Sequence, residues 1–338
     1  MSLDPVTPAP AASSPAPPWW RDRRVIPWIV QGVVGLVVLV LVAFLLGNLV
    51  RNLTAAGLLL SYSWLGTPAG FDIAETLLPF DAAMPYWRAL VAGLVNTVRV
   101  VLAGLVASTV LGSLLGMASF SSNGLLRRLS VIYVEVLRNI PLLLQLVFWY
   151  FVVFLALPNG SAAIQLPGIV LAKSGLYLAG FAEGLRWTLP QLVNGVWQAP
   201  LRFTVEFGAL LTGLTIYSAA FIAEVVRGGI ASVARGQWEA ASSLGLSWPA
   251  SLRHVVLPQA LRVIVPGLNT QHISLAKNSS LAVAVGYTDL YSVAETTLNQ
   301  TGRAVEVILL LLGAYLVLDL LISAVMNGLN QLVQIRER

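Results

Sequence analysis

The stretch VIPWIVQGVVGLVVLVLVAFLLGNLV, Val25–Val50, holds no charged residue. In a helix rising about 1.5 Å per residue it is long enough to cross a hydrocarbon core of about 30 Å with some tilt. A cleaved leader has an apolar core of about 7–15 residues, so the run reads as a retained membrane span. Before it stand Trp19-Trp20-Arg21-Asp22-Arg23-Arg24, aromatics and arginines of the kind that gather at a membrane–water boundary. Residues 1–18 are rich in Pro, Ala and Ser without helical or strand period, so 1–24 reads as a disordered tail.

Further apolar segments follow at Leu90–Ser119, Ile132–Leu157, Phe207–Val233, Ile264–Val285 and Val305–Leu329. Of the 338 residues 57% are hydrophobic and only 10% charged, against about 25% charged in an ordinary soluble domain. A soluble globule could not hide that much apolar surface. The composition excludes a soluble enzyme, a disordered chain and a nucleic-acid binder; the partner it demands is a lipid bilayer. There is no cysteine, and the two histidines are His254 and His272, so no thiolate or histidine metal centre and no catalytic cysteine is expected. The expected fold is an all-α, polytopic bundle of about six transmembrane helices.

Charge bias gives the orientation. With both termini cytoplasmic, twelve arginines fall inside and six basic residues outside, with Arg99 and Lys277 within spans; this obeys the positive-inside rule. The chain then divides into the tail 1–24, a first span 25–50, an extracytoplasmic loop 51–88, a membrane core 89–330 and a cytoplasmic tail 331–338. Within the core, 158–206 is extracytoplasmic or re-entrant, and 234–260 is a cytoplasmic loop. Ala162–Ala182 is apolar but interrupted by Pro167, Lys173 and several glycines. It reads as non-spanning, because a single extra crossing would put Arg227, Arg235, Arg253 and Arg262 outside. In the second span Gly104, Ser108, Gly112 and Gly116 fall four apart, a small-residue stripe suited to close helix packing.

The loop 234–260 has a derivable shape. Gln237–Leu244 is a run of mostly good helix formers, and Gly245 ends it by taking a left-handed conformation. Pro249 starts a second element and Pro258 begins or kinks the helix that follows. A short helix therefore lies across the membrane face, with Ala240 and Ala241 small enough for close docking and Glu239 offering a fixed charge. An ordinary connector would share these features.

The residues here resemble a family. Glu239-Ala240-Ala241, then three residues and Gly245, then nine residues and Val255-Val256-Leu257-Pro258, are similar to the Glu-Ala-Ala signature of importer permeases of the ATP-binding cassette class. Tyr133–Leu143 and Ala223–Ile230 are similar to the polar amino-acid branch, and the long N-terminal part is most like its general L-amino-acid permeases. The resemblance spans about residues 25–335. It implies a non-catalytic subunit of a bacterial inner-membrane importer that moves L-amino acids inward by alternating access. Its implied partners are two cytoplasmic ATP-binding subunits, a second permease subunit (a related chain or a copy) and an extracytoplasmic amino-acid-binding protein. ATP and magnesium would belong to the partner subunits; this chain has no Gly-Lys dipeptide and so no phosphate-cradling loop of that type. Glu239, Ala240, Ala241, Gly245, Leu257 and Pro258 would form the contact that couples ATP hydrolysis to transport. A secondary transporter or channel working without an ATPase is the alternative; it would need broken helix pairs or an internal repeat.

Charges within spans need reasons. Glu135 and Arg138 are three apart at the start of a span and suit a structural ion pair. Glu224 and Arg227 repeat the spacing deeper in the bilayer. Glu224 could meet a substrate ammonium, and Lys277 beside Asn278 could meet a substrate carboxylate or pair with Glu224. Thr97, with Asn96 and Arg99, is a weaker pathway candidate, and Asp319 suits an interhelical contact.

Overall fold

The computed structural model describes residues 26–55, 57, 60–182 and 186–334. The expected tail 1–24 and positions 335–338 lie outside the described residues. The chain divides into two units, Met1–Ser61 and Tyr62–Arg338. In the first, α1 (Ile26–Ala55) has no buried residue, as an apolar helix made for lipid requires.

The second unit is built on α2 (Tyr86–Ala118) and α5 (Val205–Ala231). The small-residue stripe of α2 is buried throughout, at Gly104, Ser108, Gly112 and Gly116, and its last two glycines meet α5. A Cβ added at Gly112 would lie 2.8 Å from the Ala219 carbonyl oxygen, and one at Gly116 2.7 Å from that of Ala223. Only glycine permits that approach. Across the helix Leu102, Val106, Val110 and Leu114 are exposed, an apolar row four residues apart that suits lipid. The core closes with α8 (Leu257–Asn278) and α10 (Ala304–Val333), which extends through the start of the expected tail at 331. Ile222, Val226, Val256, Ile264, Leu275 and Ile322 form its main buried cluster.

Three expectations are corrected. First, the span expected at Ile132–Leu157 is not continuous. It is α3 (Gly124–Asn139) and α4 (Leu142–Phe148), the latter running into a π-helix at Trp149–Phe154, with a bend of 103° between the two arms. Pro141 excludes the helical region for Ile140, which is extended at φ −101° and ψ 126°. The freed carbonyls of Leu137 and Ile140 each accept from the Gln145 side chain at 3.0 Å. Second, the apolar segment expected at Ile264–Val285 is shifted and broken. α8 starts at Leu257, ends at Asn278 and gives way to a 3-10 helix at Ser279–Val285. Among the described residues four helices are long and apolar enough to cross a membrane, α1, α2, α5 and α10, or five with the bent pair.

Third, the fold is not all-α. The described residues between 164 and 203 form eight short strands: β1 (Ile164–Leu166), β2 (Ile169–Ala172), β3 (Gly175–Leu178), β4 (Gly180–Ala182), β5 (Arg186–Thr188), β6 (Gln191–Val193), β7 (Val196–Gln198) and β8 (Leu201–Phe203). β1-β2-β3-β8 make an antiparallel sheet, and β4–β5 and β6–β7 are hairpins. The Ala162–Ala182 stretch read as non-spanning is largely this sheet, and burial alternates along β2 and β3, the period of a half-covered strand. Asn194-Gly195, both at positive φ, form the two-residue turn of the last hairpin.

A polar clasp ties this sheet to the bundle. Glu75 pairs with Arg99 of α2 at 2.5 Å and accepts from the Thr204 backbone at 2.9 Å, where β8 turns into α5. The Arg99 guanidinium lies against both rings of the stacked pair Phe203 and Phe207, 4.5 and 4.6 Å from their centroids. Asp289 caps α9 (Leu290–Thr301), accepting from Ser292 N–H at 2.9 Å. Burial pushes its carboxyl up to about 6 although hydrogen bonds from Ser292, Tyr291 and Tyr315 pull it down.

Candidate functional site

The bend at Ile140-Pro141 lays the end of α3 against α5 and opens a cavity of ≈ 610 Å³ between them, beside the end of α2. Tyr133 Oη donates to the Ile216 carbonyl at 2.8 Å and Ser130 Oγ to the Leu115 carbonyl at 2.7 Å, fixing α3 on both neighbours. Glu135, Arg138, Glu224 and Arg227 all line this cavity, with Asn139, Ser119, Ser130 and Phe221. The four charges that looked like two separate helical pairs thus share one space.

Their pairing is unequal. Arg227 Nε donates to Glu224 Oε2 at 3.0 Å, and its Nη2 to Glu224 Oε1. Glu135 and Arg138 form no ion pair among the described residues, against the expected structural pair. Arg138 lies over the Phe221 ring instead, 5.2 Å from its centroid. The face of an aromatic ring competes with a partly hydrated carboxylate one turn away. The result is a cavity with balanced formal charge, one pair closed and one open.

The other pathway candidates lie elsewhere. Lys277 is at the end of α8; its Nζ is 3.5 Å from Asp319 Oδ2 of α10, and its side chain is 62% exposed. Asn278 leads into the 3-10 helix. Thr97 is fully buried, and its hydroxyl accepts from Leu290 N–H at 2.9 Å and donates to the Gly93 carbonyl at 3.1 Å. Neither Lys277, Asn278 nor Thr97 lines the cavity. Glu75, the partner of Arg99, was missed in the sequence; an arginine inside a span is itself the signal that such a partner exists.

The second part of the site is the loop after α5. α6 (Arg235–Ser243) is the expected short helix. Gly245 ends it at φ +77°, with Gly245 N–H on the Ser242 carbonyl at 2.9 Å and Leu246 N–H on the Ala241 carbonyl at 3.1 Å. That pair of bonds is the Schellman stop. Ala241 is buried, whereas Glu239, Ala240 and Leu244 face outward. Glu239 is 3.1 Å from Arg235. α7 (Trp248–Ser251) and a π-helix at Leu252–Val256 lead back to α8. Trp238 stacks on Trp248, and Gln259 Nε2 donates to Gln237 Oε1 at 3.1 Å. Leu257 is half-buried and Pro258 exposed at the start of α8.

Comparison with known proteins agrees with this architecture. Residues 108–336 match the family described as binding-protein-dependent transport system inner membrane component. The putative amino-acid ABC transporter permease protein YhdX of Escherichia coli K12 is 36% identical, over 92% of this chain and 95% of its own. The general L-amino acid transport system permease protein AapQ of Rhizobium johnstonii is 37% identical, over 86% of this chain and 87% of its own. The crystal structure of an amino acid ABC transporter with histidines shares the fold with a TM-score of 0.54 at 24% identity, covering 73% of this chain and 94% of that one. With its spans, its bent helix pair and its Glu-Ala-Ala loop, the chain belongs to the inner-membrane permease family of binding-protein-dependent ABC transporters.

Proposed function

We propose that this chain forms the amino-acid pathway of an ATP-driven importer in a bacterial inner membrane, with both termini cytoplasmic and about six crossings. The observation that carries the substrate class is the cavity where Glu135, Arg138, Glu224 and Arg227 meet. An amino acid is a zwitterion. A lone buried charge repels one of its ends, but a cavity with two carboxylates and two guanidiniums answers both without net field. In this reading the substrate ammonium faces the carboxylates and its carboxylate meets Arg138, whose fork is not held by an ion pair. The names of the relatives, amino-acid permeases in two bacteria, support the same class.

The motive force is assigned to separate subunits. α6 presents Glu239, Ala240 and Leu244 outward, a small, exposed helix suited to a groove on a cytoplasmic ATP-binding subunit. Two such subunits, a second permease and an extracytoplasmic amino-acid-binding protein complete the assembly, and ATP with magnesium binds to the former. Closure on nucleotide would draw α6 and its counterpart together and rock the spans between outward and inward access.

Uptake by the reconstituted assembly tests the cavity. Glu224→Gln is expected to reduce amino-acid uptake at least 10-fold, in line with losing a charged partner worth about 1.5–3 kcal/mol, while the partner subunits still co-purify. Unchanged uptake in Glu224→Gln and in Glu135→Gln would remove the cavity from the pathway.

A further inference from the structure

Beside the charged cavity, and sharing Ser119, Val131 and Arg227 with it, lies a second hollow of ≈ 420 Å³. Its lining is chemically divided. Arg127, Arg128 and Arg227 supply three guanidiniums; Phe120, Val131 and Ile132 supply an apolar wall; no carboxylate lines it. Arg127 and Arg128 form no ion pair among the described residues, and Arg127 reaches only the Ser121 carbonyl, at 3.5 Å. The neighbouring face of α3 is apolar and open: Leu125 is 68% exposed, Leu129 54% and Ile132 55%.

Arg227 is already closed on Glu224, so the positive charge without counter-charge is that of Arg127 and Arg128; it calls for an anion, and planar guanidiniums match phosphate oxygens in pairs. The apolar half decides which phosphate. Free phosphate gains nothing from Phe120, Val131 and Ile132, whereas a lipid places its headgroup on the arginines and its chains along hydrocarbon. We propose that this hollow binds the phosphodiester headgroup of an anionic phospholipid, with the acyl chains lying along the exposed face of α3. The site borders the transport cavity on one side. On the other, Phe120 also lines a hollow beneath Trp238 of α6. The inference rests on the chain being a membrane protein and not on the amino-acid reading, so its test is binding and not uptake.

The purified full-length chain, stripped of lipid, is titrated with phosphatidylglycerol or phosphatidylcholine and followed by native mass spectrometry. A basic residue beside an anionic headgroup strengthens binding about fivefold, so Arg127→Gln with Arg128→Gln should weaken phosphatidylglycerol binding about 30-fold and leave phosphatidylcholine binding unchanged. The pair Arg127→Lys and Arg128→Lys keeps the charge and should stay within about threefold of the parent. If the double glutamine variant melts early in phosphatidylcholine, Arg128→Gln alone is used, with about a fivefold loss expected. Equal phosphatidylglycerol binding by parent and glutamine variants overturns the site. Displacement of the lipid by an equal concentration of inorganic phosphate overturns the lipid assignment, because the apolar wall would then contribute nothing.

Discussion

Replacing Gly245 by valine isolates the stop of α6, the helix proposed to couple to the ATP-binding subunits, from everything else in the bundle. Gly245 sits at φ +77°, and a Cβ built there meets no atom within 4 Å. The cost of a side chain is therefore backbone conformation alone. A left-handed residue costs roughly 1–2 kcal/mol for an ordinary L-amino acid, and a β-branched one sits at the upper end or beyond. At about 1.4 kcal/mol per factor of ten, the intact stop falls about 5- to 30-fold relative to conformers in which the Leu246–Ala241 and Gly245–Ser242 bonds are open. The core does not share this loss, because Leu244 and Gly245 are exposed. In reconstituted vesicles with the partner ATPase, Gly245→Val should lower amino acids moved per ATP hydrolysed at least fivefold, with the melting temperature near that of the parent. Gly245→Asn, which tolerates the left-handed region, should recover most of the coupling. Normal coupling in the valine variant, or equal loss in both, would refute the role given to this turn.

Gly112→Ala should destabilise the bundle by about 1–3 kcal/mol through overpacking, since its Cβ would lie 2.6 Å from Ile222 Cγ2; Gly313→Ala, with nothing within 4 Å, is the control and should melt no lower than the parent. Glu75→Gln leaves Arg99 without its carboxylate; with the two side chains 12% and 15% exposed, the loss should fall at or below the lower end of about 3–5 kcal/mol, and in a double-mutant cycle Arg99→Met should add little to it. The Asp289 carboxyl, at 3.8 ordinarily and about 6 here, keeps its proton longer in the native state, so stability falls as pH rises from about 4 to about 6; Asp289→Asn should flatten that part of a pH–melting profile, and an unchanged slope would count against it.

How much of this was legible in the sequence depends on the range of the interactions involved. Local rules worked: apolar runs marked the long helices, the four-residue spacing of Gly104 to Gly116 marked a close-packing face of α2 without naming its partner, and Gly245 marked the helix stop. The broken helix was also local, since Ile140-Pro141 forbids a continuous span, but the apolar run across it outweighed the proline. The sheet was hidden for a related reason: three- and four-residue strands are too short for a period to stand out, and Asn194-Gly195 was their clearest sign. Side-chain pairing was the least legible. A spacing of three joins Glu224 to Arg227, yet the same spacing leaves Glu135 and Arg138 unjoined because Phe221 arrives from another helix. Lys277 meets Asp319 rather than Glu224 because that partner is set by how α8 crosses α10.

The same long-range packing bears on how the proposed transmission works. α6 is attached at both ends to helices that reach the core: three residues separate it from α5, which carries Glu224 and Arg227, and the Gln237–Gln259 bond and the Trp238–Trp248 stack hold it to the segment entering α8. α5 and α8 cannot slide freely past one another, because a Cβ at Gly229 would already lie 2.4 Å from Ile264 and one at Gly267 2.6 Å from Val225. Close-packed helices of this kind move as bodies and not by continuous shear. A pull on α6 would therefore displace α5 and α8 together against α3, whose own course is reset at Ile140-Pro141. For the α5 wall of the charged cavity to move relative to the α3 wall, the Tyr133–Ile216 hydrogen bond that joins the two helices must give, so opening and closing of the cavity would act at that bond.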